Sequence, residues 1–150
     1  MKRLLICIMS IFSLLSCACQ RRTMPEGRLT EYSYIVQGMM SRPLVELNIK
    51  ESPEGCILTY STSRDTCEHT VKAGREVLDK VRFLISEHKM YKFKEVYKTR
   101  FQILDGETWS YSAHFSDGSV LRSCGSNAWP SSPGLSAVKE YLLSLPDGGQ

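Results

Sequence analysis

Histidine and tryptophan are scarce in this chain, three and two among 150 residues, and no two cysteines stand at Cys-x-x-Cys spacing. The first scarcity starves metal and acid–base sites of their commonest ligand and proton carrier. The second absence removes the usual redox dithiol. No apolar run reaches the roughly 20 residues that a membrane-spanning helix needs. No repeat of useful period is present, and no serine sits in a Gly-x-Ser-x-Gly turn. Charge of one sign is also missing. The formal balance is +3, and two of its cations, Lys2 and Arg3, stand at the very start. Nothing in the balance therefore points to a nucleic acid.

What is present at the start is a leader. Lys2 and Arg3 precede Leu4 to Leu15, an apolar or near-apolar stretch of twelve residues, which is the length of a secretory signal core. Leu14-Leu15-Ser16-Cys17 then resembles the lipobox of bacterial lipoproteins, with small Ser16 before the cut. The resemblance implies cleavage after Ser16 and a diacylglyceryl thioether, with palmitate-type chains, on Cys17, whose thiolate is the nucleophile. Cys19 is the rival acceptor, but Ser16 three residues before it fits less well than Leu14 does before Cys17. The family's sorting rules are also legible. Ala18 is not the aspartate that retains lipoproteins at the inner membrane in enteric bacteria, and Cys19-Gln20-Arg21-Arg22 is not an acidic surface-export cluster. The expected address is the periplasmic face of the outer membrane, with the bilayer as a partner through the lipid.

These boundaries divide the chain into residues 1–16 (signal), 17–30 (lipidated N-terminus and tether) and 31–150 (an α+β domain). Without the signal, 134 residues remain, enough for one core, and 17 basic residues face 16 acidic ones. The stretch QRRTMPEGRLTE, with Arg21, Arg22 and Arg28, reads as a solvated linker.

Alternation marks strands. Val45, Leu47 and Ile49 share one face, as do Cys56, Leu58 and Tyr60. Pairing Ile49 with Cys56 across Glu51–Gly55 sets Leu47 beside Leu58 and Val45 beside Tyr60. Tyr32 to Gln37 is a further candidate strand. Between Thr70 and Lys89 the period becomes helical, with Val71, Leu78, Val81, Leu84 and Ile85 on one face. Two Asp-Gly pairs then suggest a three-stranded meander. A two-residue Asp117-Gly118 loop pairs Phe115 with Val120, Ala113 with Arg122 and Tyr111 with Cys124. An extra residue near Asp105-Gly106 pairs Phe101 with Tyr111 and Ile103 with Trp109. A last helix, capped by Ser132 with Pro133 at its first position, aligns Leu135, Val138, Leu142 and Leu145. The order β-β-α-β-β-β-α predicts an antiparallel sheet of about five strands with two helices on one face, and it is similar to small lipoprotein domains of unknown function.

Chemistry-bearing groups are sparse. Cys67-Glu68-His69 is too short to make a zinc site, so no metal and no cofactor is expected. His88 suits a helix C-terminus, and His114 faces away from the meander's aromatics. Of the remaining cysteines, Cys56 and Cys124 are assigned inward, and Cys67–Cys124 is the leading disulfide, with all thiols reduced as the alternative. The stretch Ser123 to Pro130 supplies the candidate binding residues Arg122, Asn127 and Trp129. They would form a platform for an envelope protein, peptide or glycan, unless Trp129 folds back to plug the sheet end, which the following Pro130 favours. A non-enzymatic binding module is the leading function. The other is a hydrolase or redox enzyme assembled from His69, Cys67, His114 and Asp117.

Overall fold

Alternating β-branched and aromatic residues against polar ones build a sheet whose two faces differ sharply. The computed structural model describes residues 22–38, 43–65, 67–100 and 106–146. Its strands are β1 (Leu29–Gln37), β2 (Pro43–Ser52), β3 (Gly55–Thr62), β4 (His69–Ala73), β5 (Val96–Lys98), β6 (Thr108–Phe115) and β7 (Val120–Ser126). Helix α1 (Glu76–Glu87) follows β4, and α2 (Gly134–Leu143) closes the chain, with a 3-10 turn at Met90–Lys92 between α1 and β5. The sheet order is β4-β3-β2-β1-β6-β7-β5. Every pairing is antiparallel except β5 with β7, which run parallel.

The α+β class holds, but the sheet has seven strands rather than about five, and it is mixed. Among the described residues, β1, the further candidate, joins the sheet, and β4 and β5 are strands that the expected order lacks. His69 to Ala73, expected as loop and helix start, is strand β4, with Val71 paired to Leu58. Val71 lies seven residues before Leu78 and so fits a helical period, yet Thr70 and Val71 favour a pleated surface and Gly74 breaks the chain before α1. The parallel β5 comes from VYK, too short to announce itself.

The core lies between one sheet face and the two helices. From the sheet come Tyr32, Tyr34, Leu47, Ile49, Leu58, Trp109, Tyr111, Ala113 and Phe115. From α1 come Val77, Leu78, Val81, Leu84 and Ile85, and from α2 Leu135, Val138 and Leu142. The helical stripes are those the period indicates, except that Val77 replaces Val71 and that Leu145 lies past the end of α2, partly buried against the core. Helix α2 starts one residue later than its cap pattern suggests. Pro133 occupies the cap, while the Ser132 hydroxyl accepts from Gly134 N–H at 3.4 Å and donates to His88 O at 2.9 Å.

Register corrects three further expectations. In the first hairpin Leu47 faces Tyr60 and Ile49 faces Leu58. That slip of two residues keeps every side chain on its face. The meander is replaced by β1, because both edges of β6 are occupied: Tyr111 pairs with Tyr34 on one side and Ser123 on the other. Phe101 and Ile103 lie outside the described residues.

The third slip is by one residue. Phe115 N–H donates to Ser119 O and Gly118 N–H to Phe115 O, both at 3.0 Å, so the loop holds three residues, with Gly118 at φ 83° supplying the left-handed turn. Ala113 then faces Leu121, and Ser112 faces Arg122. An odd slip exchanges faces. Arg122 and Cys124, assigned inward from sequence, point outward, while Leu121 and Ser123 are buried.

Candidate functional site

The helix-free face of the sheet is ordered by register into rows. One row runs Asn48, Ser33, Ser112, Arg122 from β2 to β7, and the next runs Glu46, Ile35, Ser110, Cys124, Val96 from β2 to β5. Strands lie about 4.8 Å apart, so the first row spans roughly 14 Å. Its middle is floored by small hydroxyl side chains, and its end carries a long cation. The result is a trough rather than a flat wall. A groove of about 810 Å³ lies there, lined among others by Arg22, Ser33, Ser110, Ser112, Arg122 and Cys124. Arg122 is exposed and makes no ion pair or hydrogen bond among the described residues.

One rim of this groove is built by the segment expected to be a free tether. Arg22 donates to Phe93 O at 2.9 Å and pairs with Glu95. Arg82 of α1 donates to Gly27 O and Pro25 O, each at 3.0 Å. Gly27 N–H donates to Asp117 at 2.9 Å, and Met24 packs on the core. Residues 22–28 are therefore docked on the body, and the linker reading fails for them.

Asp117, on the turn after β6, is spent on this docking. It also accepts from Ser119 N–H at 2.9 Å and from the Ser119 hydroxyl. Those Ser119 bonds, followed by the Gly27 amide, hold its carboxyl below the usual carboxylate range.

The three candidate binding residues do not converge. Arg122 belongs to the trough. Asn127 sits beyond β7 at φ 50° and clamps the segment before β6: its backbone N–H donates to Glu107 O at 2.9 Å, and its Oδ1 accepts from Glu107 N–H at 2.8 Å. Trp129 is half-exposed and stacks on Trp109, the ring that actually enters the core and donates from Nε1 to Ala128 O at 2.7 Å. The expected plug is thus Trp109, with Trp129 its outer cover.

The groups of the enzymatic alternative are likewise spread out. Cys67 and His69 lie at the β4 end of the sheet, and Cys124 lies near the β5 end. Cys67 and Cys124 are both free, and β3, β2, β1 and β6 separate their strands, so the Cys67–Cys124 bridge is not formed. Disulfide geometry needs the two Cα atoms within about 7 Å. His69 stacks on Tyr60 at 4.8 Å, with its Nε2 3.7 Å from Asp65. His114 pairs across the sheet with Glu31 and Val120, and His88 caps α1. Cys56 is buried, its thiol donating to Gly74 O at 3.2 Å, and burial pushes its pKa up. Sequence reasoning passed over two Ser-x-x-Lys spacings, Ser86 to Lys89 and Ser136 to Lys139. Both serines are exposed on helices, and among the described residues neither hydroxyl bonds its lysine; Lys89 N–H donates only to the Ser86 backbone O, at 3.1 Å.

The residues that sequence reasoning missed are Ser33, Asn48, Ser110 and Ser112. Their only signal was alternation with core residues. Among the described residues no cluster of three or more His, Cys, Asp or Glu is placed to hold a metal ion, and no helix is long and apolar enough to cross a membrane. Compared with family models, curated proteins and solved structures, the chain matches none.

Proposed function

We propose that this chain is a lipid-anchored, non-enzymatic binding module of the bacterial cell envelope. Cys17 fixes it to the periplasmic face of the outer membrane, and the open sheet face recognises the anionic group of an envelope constituent. The observation that carries the binding reading is Arg122, a guanidinium with no partner among the described residues, standing at the end of the Asn48, Ser33, Ser112 row. A guanidinium fork matches carboxylate and phosphate geometry, and the hydroxyl floor supplies further donors to the same oxygens. Binding is favoured over hydrolysis or thiol redox chemistry by the separation of Cys67, His69, His114 and Asp117 and by the engagement of Asp117 with Gly27 and Ser119.

The anchor is tested by mass. Cys17→Ala should yield a precursor or soluble chain without acyl groups, and full lipid labelling of that variant would refute the assignment. The face is tested by titrating the protein with glycerol phosphate and with an acidic muropeptide while following backbone amide shifts. Shifts should gather on β1, β6 and β7 around Ser33, Ser112 and Arg122 and vanish in Arg122→Ala. Shifts centred on Asn127 and Trp129 would move the site to the loop that follows β7.

A further inference from the structure

The docked segment 22–28 fixes where the described chain begins. Arg22 is held by Phe93 O and Glu95, and Glu95 O in turn accepts from Cys124 N–H at 2.9 Å. Arg22 therefore lies at the β5–β7 edge. Four residues separate Arg22 from Cys17, so the five Cα steps between them span at most about 18 Å when fully extended. A lipid on Cys17 holds this edge close to the bilayer, and the hydrogen bonds on residues 22–28 limit how far the body can swing.

The same edge has the surface composition of a membrane contact. Val96 is 48 % exposed and Val120 39 % exposed. Both lie on the open face of the sheet, Val96 beside Cys124 and Val120 two residues from Arg122. Around them Lys94, Lys98 and Arg122 are exposed and have no acidic partner among the described residues. Glu95, between Lys94 and Val96, is paired with Arg22. Exposed apolar side chains ringed by unpaired long cations suit an interface where stems sit among acyl chains and charges among phosphates. By contrast, Ile57 stands alone on β3, and exposed Phe83 carries the Lys80 ammonium over its ring.

We infer that the β5–β7 edge rests on the membrane that holds the anchor, and that the anionic group gripped by Arg122, with Lys94 and Lys98, is the phosphate of an anionic phospholipid headgroup. This rests on the lipoprotein reading above and names the ligand class of its open face. In this orientation the trough opens at the bilayer surface, and the β4 edge with Cys67 points away from it.

Two natural thiols report the orientation, one at each end of the sheet. Lipidated full-length protein carrying Cys19→Ser is reconstituted into vesicles of phosphatidylcholine, with or without about one quarter phosphatidylglycerol, and treated with a membrane-impermeant maleimide. Cys124 should react about tenfold more slowly on the anionic vesicles, while Cys67 reacts equally on both, and about 0.5 M salt should restore Cys124. The triple reversal Lys94→Glu, Lys98→Glu, Arg122→Glu should restore it without salt. Equal Cys124 rates on the two vesicles, with the protein still floating with the lipid, would overturn the orientation alone. Failure to float would overturn the anchor and the orientation with it.

Discussion

Trp109 and Trp129 lie ring on ring, with centroids 5.3 Å apart and planes 17° from parallel, yet Trp109 is 2 % exposed and Trp129 44 %. The stack divides into a structural member and a cover, and their truncations should differ. Trp109→Ala removes a core ring and the bond to Ala128 O, and should cost about 3 to 5 kcal/mol. Trp129→Ala should cost about 1 to 2 kcal/mol, the worth of an aromatic contact with partial burial. Equal losses in chemical unfolding would show that Trp129 is the plug.

Gly125 faces Trp109 across β6 and β7. A Cβ there would overlap Ala128 O and the Trp109 indole, both fixed by their mutual hydrogen bond. Gly125→Ala should therefore destabilise by about 1 to 3 kcal/mol and shift Trp109 fluorescence. Unchanged stability and emission would mean that the indole bond is not made.

Leu47 and Val81 are fully buried, and Phe115 is nearly so. Each comes from a different element of the layer between sheet and helices. Leu47→Ala, Val81→Ala and Phe115→Ala should each cost about 2 to 5 kcal/mol, with valine at the low end. Near-zero losses at all three would place the core elsewhere.

Asp117 links the N-terminal segment to the β6–β7 turn. Its hydrogen bonds hold its folded-state pKa below the ordinary value of 3.8. The stabilisation is therefore fully present above that value and is lost as pH falls through the lower folded-state value. Acidification should release residues 22–28 ahead of the sheet, seen as faster amide exchange at Gly27. Asp117→Asn should show that release already at neutral pH. Exchange at Gly27 that stays slow both in Asp117→Asn and in Asp117→Ala, which removes the acceptor, would assign the docking to the contacts of Arg22, Met24 and Arg82.

The sequence by itself determined which faces are apolar along most elements, because alternation and helical period are local. It placed the stripe Leu78, Val81, Leu84, Ile85 on α1 and Leu135, Val138, Leu142 on α2, and it put Leu47, Ile49 and Leu58 inward. It also marked Arg122 as the odd cation of its strand. Tertiary structure decided which strands are neighbours and which register they take. Long β1 takes the edge of β6, where Tyr32, Tyr34 and Val36 pair with Ala113, Tyr111 and Trp109 along its length. One added residue in the Asp117 turn then turns Arg122 and Cys124 to the open face and buries Ser123, whose hydroxyl finds Lys94 O at 2.6 Å. Turn length costs little locally, so the choice falls to the burial of whole faces, and that is settled only when the strands meet.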